Sequence, residues 1–140
     1  MIKLKPYSSS ILAFGGFILV VMGIYFVFMR PSVLPEDFKY MKTNMLIVNS
    51  TIPNLPLWLE KVFWVMGGFI ISSGLLIIFI AFSSFRARTS GAFSIVAISG
   101  ISSIGFMAVV NFILDSNFKW LLFAFTFPWI ISLIFYRLHK

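Results

Sequence analysis

Residues 57–83 read LWLEKVFWVMGGFIISSGLLIIFIAFS, and after Lys61 the segment contains no Asp, Glu, Lys, Arg or His. A helix needs about 20 predominantly apolar residues to cross the hydrocarbon core of a bilayer. Residues 57–83 supply 27, and three further stretches qualify: 8–29 with 22 residues, 91–114 with 24 and 118–136 with 19. The charges within these stretches, Glu60, Lys61 and Lys119, lie at their ends. An all-α bundle of four transmembrane helices in one domain, residues 1–140, is the expected fold.

Composition agrees. Apolar residues make up 60% of the chain and charged residues 11%, against about 25% charged in an ordinary soluble domain. There are no cysteines, which removes disulfides, iron–sulfur ligation and thiolate catalysis together. A net charge of +7 would point to nucleic acid in a soluble protein. Here the Lys and Arg residues cluster at span ends, where they set topology and meet lipid headgroups, so no nucleic-acid partner is expected.

The first stretch follows Lys3 and Lys5, as a signal peptide would. Its apolar run is about twice a usual h-region, however, and ends at Phe28-Met29-Arg30-Pro31 without a small-x-small cleavage site. It reads as a retained anchor. With four spans, both termini and the 84–90 loop share one side, which carries Lys3, Lys5, Arg86, Arg88, Arg137 and Lys140 and no acid. The other side carries Arg30, Lys39, Lys42, Lys61 and Lys119 with all four acids. The margin in basic residues is narrow. The two arginines of the short 84–90 loop and the lysines before the first span place both termini in the cytoplasm.

The connection over 30–56 then faces outward. Pro35 suits a first helical position, and Glu36 and Asp37 suit the positive end of a helix dipole. Phe38, Met41, Met45 and Val48 recur at helical spacing, so one short amphipathic helix over 36–48 is expected at the membrane interface. It is either a connector or a lid. Asn54 is the expected N-cap of the second span, and Trp58, Trp64, Trp120 and Tyr40 read as an aromatic belt. Asn49-Ser50-Thr51 matches the glycosylation pattern and is taken as coincidence.

Small residues mark where helices approach. Gly16 and Gly23 lie on one face of the first span with Ser9 and Ala13, and Gly67 and Gly74 recur at a spacing of seven in the second. Gly105 is one of several small residues in the third. Lipid offers helices no hydrophobic incentive to associate, so they pack by backbone approach at such positions. The third span has small residues all round, and some could face another subunit or a second copy of the chain. Pro128 should kink the fourth span by leaving the Ala124 carbonyl without its donor, with Thr126 able to compensate.

One polar constellation stands out. Asn111 and Asp115 are four apart, hence on one helix face. Arg30, Glu60 and Lys119 belong to the same membrane level. These five residues form a candidate outer polar cluster, read either as a ring of ion pairs or as a shallow site roofed by the 36–48 helix. Arg30 is the preferred partner for Asp115, because its fork can hold an amide and a carboxylate together, with Lys61 and Lys119 as alternatives. The single histidine, His139, is penultimate. No metal centre, haem pair, phosphate loop or other cofactor site is expected, and no ionisable group near a span midpoint suggests a pump.

Three segments carry a resemblance. Leu34-Pro35-Glu36-Asp37, Trp58 to Gly68 and Gly105 to Phe112 look like a group of small four-helix bacterial inner-membrane proteins. That resemblance implies architecture and location, and brings no activity or site residue with it. Two functions are left. The first is a non-catalytic accessory or scaffold component acting through helix packing. The second is a small-ligand or lipid-binding protein, or an enzyme, with its polar site at the outer membrane boundary under the 36–48 helix.

Overall fold

In the computed structural model, which describes residues 5–138, the chain is predominantly helical, with no strand among the described residues. The positions of Lys3, His139 and Lys140 lie outside the described residues. Eight α-helices follow one another: α1 Lys5–Phe28, α2 Pro35–Met41, α3 Met45–Thr51, α4 Leu55–Ile80, α5 Ala92–Gly100, α6 Phe106–Ile113, α7 Lys119–Ala124 and α8 Phe127–Leu138. A π-helical turn at Ala81–Phe85 extends α4, and another at Ile101–Gly105 joins α5 to α6. Four units are long and apolar enough to cross a membrane: Tyr7–Phe28, Leu55–Phe85, Ala92–Ile113 and Lys119–Leu138. These bounds differ from the expected spans by one or two residues at each end.

The helices form two antiparallel hairpins. α1 packs most extensively on α4, and next on α8. The α1–α4 seam is set by the glycines. A Cβ on Gly16 would come within 2.8 Å of the Gly74 carbonyl oxygen, and one on Gly74 within 2.6 Å of the Gly16 oxygen. Gly23 and Gly67 repeat the arrangement, each 2.7 Å from the other's carbonyl. The spacing of seven in both helices, run in opposite directions, brings each glycine opposite a partner. Gly105 differs. A Cβ there would meet only the Gly100 backbone of its own helix, at 3.2 Å, so it closes a π turn and seats no neighbour.

The second hairpin joins the first through Trp129. This indole is 3% exposed and fills the space left by two glycines. A Cβ on Gly15 would lie 2.7 Å from the ring, and one on Gly100 would collide with it. The Ser132 hydroxyl adds a buried hydrogen bond to the Ser8 carbonyl of 2.9 Å. At the same end, Arg88 donates to the Tyr136 carbonyl at 2.8 Å and lies over its ring, capping the last turn of α8. Contacts between the hairpins therefore concentrate at the end that carries the termini. Toward the other end they diverge.

Span four is interrupted as its proline requires. α7 ends at Ala124 and α8 starts at Phe127, with Pro128 in its first turn. Thr126 does not compensate as expected: its hydroxyl donates to the Phe123 carbonyl at 2.7 Å and not to that of Ala124.

The 30–56 connection corrects an expectation. One amphipathic helix over 36–48 gives way to two seven-residue helices. Lys42 takes a left-handed conformation, φ +55°, and ends α2. Asn44 Oδ1 then accepts from Ile47 N at 3.0 Å, starting α3. Asn is poor inside a helix and favourable as a cap, because its side chain competes for backbone donors. The stripe is only partly the buried face: Val48 is 8% exposed, as is Glu36, whereas Met41 and Met45 are each 46% exposed.

Candidate functional site

The divergence of the hairpins leaves a cleft of about 850 Å³ between α1–α4 on one side and α6–α7 on the other. This lies inside the range of roughly 300–1,000 Å³ typical of small-molecule sites. Its walls are apolar, with Met22, Phe63, Ile70, Met107, Leu122 and Phe125 among them. Ser73, Ser102 and Ser103 also line it, but each hydroxyl donates to a carbonyl of its own helix. Their polar atoms are thus satisfied without a ligand, and the walls behave as apolar surface. Phe69 and Phe106 belong to both the cleft and the outer surface, where they are 71% and 62% exposed. The cleft therefore opens sideways between α4 and α6.

Charge gathers at one end of the cleft, under α2. Arg30, Glu36 and Asp37 are the charged residues in its lining. Arg30 follows α1 and stacks 3.6 Å from the centre of the Phe63 ring. Its guanidinium lies 3.8 Å from Asp37 and donates to the Pro31 carbonyl at 2.8 Å. Burial lowers the affinity of this guanidinium for its proton, opposed by the fields of Asp37, Tyr25 and Glu36. Asp37 also accepts from the Leu34 backbone N–H at 2.8 Å, fixing the first turn of α2. Glu36 reaches the opposite hairpin, where the Ser116 hydroxyl donates to its Oε1 at 2.8 Å. Lys39, one turn further, pairs with Asp115 at 3.1 Å. α2 is consequently tied to the end of α1 through Asp37 and to the α6–α7 turn through Glu36 and Lys39. It straps the open ends of the two hairpins together across the mouth of the cleft.

The five residues of the expected polar cluster are distributed over three places. Arg30 takes Asp37 as its partner. Asp115 is paired with Lys119, one helical turn on, and with Lys39. Glu60 pairs with its neighbour Lys61 at 3.1 Å, and Lys61 lies over the Trp64 ring. Asn111 faces the cleft, its amide donating to the Met107 carbonyl at 2.9 Å. Arg30 and Asn111 thus line one cavity, while Asp115 and Lys119 sit on its outer rim and Glu60 stands apart. The reason is the path of α2, which brings Asp37 to Arg30 and Lys39 to Asp115 before those two can meet. Glu36 and Ser116 complete the roof and were not among the expected site residues. The Pro-Glu-Asp start of α2 was visible in the sequence, but which acid would turn inward was not.

Hydrogen bonds from Lys119 and then Lys39 hold the Asp115 carboxyl below the usual carboxylate range. A depressed carboxyl contributes its stabilisation above the unfolded value, about 3.9, and loses it as pH falls through the lowered folded value. The Lys39 tie across the mouth therefore persists through mildly acid conditions.

No group of His, Asp and Glu that could hold a metal occurs among the described residues. No protein-family model, curated protein or solved structure matches this chain. Fold and site together define a class only: a four-helix protein whose helices can each cross a membrane, with a strapped apolar cleft. The chemistry of the cleft has to be read from its own residues.

Proposed function

We propose that this is an integral membrane protein that holds an amphiphile in the cleft beneath α2, its apolar portion between the hairpins and its head at the roof. The observation that carries the reading is the cleft itself, apolar along its length, charged at one end and open sideways. The exposed surface of the four long helices is dominated by Leu, Ile, Val and Phe, which in water would exceed any ordinary exposed apolar patch. A bilayer is the environment that surface fits, and it is also the source of amphiphiles.

The full chain purified in mild detergent is expected to retain lipid, visible as bound mass in native mass spectrometry. Ser73→Phe combined with Ser102→Phe fills the cleft from two walls and should lower the retained lipid several-fold while the protein stays monodisperse. Unchanged retention in that variant, or none in the unaltered protein, would remove the reading.

Both termini belong on the cytoplasmic side of a bacterial inner membrane in this proposal, supported by Arg86, Arg88 and Arg137 at the acid-free end of the bundle. Alkaline phosphatase fused after Lys140 should be inactive, and fused near Asn49 active. The opposite pattern would invert the orientation and put the cleft in the inner leaflet.

An accessory role has one observation in its favour. Ala97, Gly105, Ala108 and Thr126 line a shallow groove of about 300 Å³ along α5, α6 and α8, and small residues of this kind admit a further helix.

A further inference from the structure

The amphiphile reading leaves open which head the roof accepts, and the roof's unpaired valences decide it. The cleft lining holds one guanidinium against two carboxylates. Arg30 and Asp37 are within ion-pairing distance of each other. Among the described residues Glu36 has no basic partner within salt-bridge distance: it is 8% exposed, and its one hydrogen bond there is from the Ser116 hydroxyl to Oε1. Oε2, on a side chain that lines the cleft, has no protein donor. Glu36 feels Arg30 only at a distance, in a field shared with the Asp37 ion pair, and a buried carboxylate with no cation in contact is costly and calls for one. The nearby lysines do not supply it, since Lys39 and Lys119 are both engaged by Asp115 at the outer rim.

We infer that the cleft selects a zwitterionic phospholipid of the surrounding bilayer, its ammonium group on Glu36 Oε2 and its phosphate on Arg30. This inference rests on the amphiphile reading and adds head selectivity to it. The polarity of the roof matches such a head, with the cation of Arg30 stacked on Phe63 and the free acceptor on α2. The sideways opening between Phe69 and Phe106 lets the acyl chains enter from the membrane. An anionic glycerol head would bring no cation to Glu36 and would add negative charge beside two carboxylates.

The test offers the full chain in mild detergent an equimolar mixture of phosphatidylethanolamine and phosphatidylglycerol with identical acyl chains, and reads both by native mass spectrometry. The ethanolamine lipid should be bound in preference, roughly five-fold, the size expected of one partly shielded charge pair. Glu36→Gln keeps the shape and the Ser116 contact; it should bring the ratio close to one with total bound lipid nearly unchanged. Ser116→Ala releases Glu36 without removing its charge and should keep the preference. A preference for phosphatidylglycerol, or one that survives Glu36→Gln, would overturn the inference while the amphiphile reading stands. So would loss of the preference in Ser116→Ala with Glu36 intact. Absence of both lipids from the unaltered protein would overturn the amphiphile reading itself.

Discussion

Gly67→Leu is expected to abolish most of the folded yield, while Gly68→Leu, one residue away, leaves it unchanged. A Cβ on Gly67 would lie 2.7 Å from the Gly23 carbonyl oxygen and 2.6 Å from Val27, whereas one on Gly68 meets nothing within 4 Å. Overpacking a well-packed site usually costs about 1–3 kcal/mol. The obstacle here is backbone, which cannot swing aside as a side chain does, so a loss at or above the upper end, about 3 kcal/mol, is expected. Gly74→Leu should behave as Gly67→Leu does, being blocked by the Gly16 carbonyl and the Val20 backbone. The measurement is the detergent melting temperature and the monodisperse fraction of the four proteins side by side. Equal behaviour of Gly67→Leu and Gly68→Leu would refute the α1–α4 register.

The second large effect concerns Trp129. Replacing it with Ala should destabilise the protein by about 3 kcal/mol, toward the lower end of the roughly 3–5 kcal/mol seen for buried aromatic truncation in soluble cores. The lower figure follows from the environment. In the bilayer proposed for this protein the separated helices are already in apolar surroundings, so dispersion contacts are lost but little transfer energy. Trp129→Phe should cost much less. The indole N–H is buried without an acceptor, and Phe removes that unsatisfied donor while keeping most of the ring between Gly15 and Gly100. Comparison of the two variants by chemical or thermal unfolding in detergent separates ring packing from indole polarity. If Phe were as damaging as Ala, the Nε1–H would have to be making a contact that this packing lacks.

Both predictions bear on the cleft, because these two contacts determine where the hairpins touch and where they part. The glycine seam keeps α1 against α4 along the length of the first hairpin. Trp129 and the Ser132–Ser8 bond fasten the second hairpin near the termini only. No comparable contact joins α4 to α6, and the space between them is the cleft. α2 then closes the gap with polar bonds to both sides. Helices that separated uniformly would give a channel, and helices packed uniformly would give no cavity.

The sequence carries four helices long and apolar enough to cross a membrane, the break at Pro128 and the small-residue faces of α1 and α4, though not that these two faces meet. These follow from local rules: span length from bilayer thickness, helix breaking from the missing proline N–H, and packing faces from the period of the helix. It also held two signals that a closer reading would have used, Asn44 as a cap dividing the connection, and Gly15 and Gly100 as seats for a large side chain. Tertiary structure alone decided the rest. Arg30, Asp115 and Glu60 are at one level, but level does not assign partners. That choice depended on where α2 crosses between the hairpins, and so on which carboxylates it brings to Arg30 and to the turn at Ser116. The cleft has the same origin, since a cavity is defined by the relative placement of helices far apart in sequence, and no residue's own spacing encodes that distance.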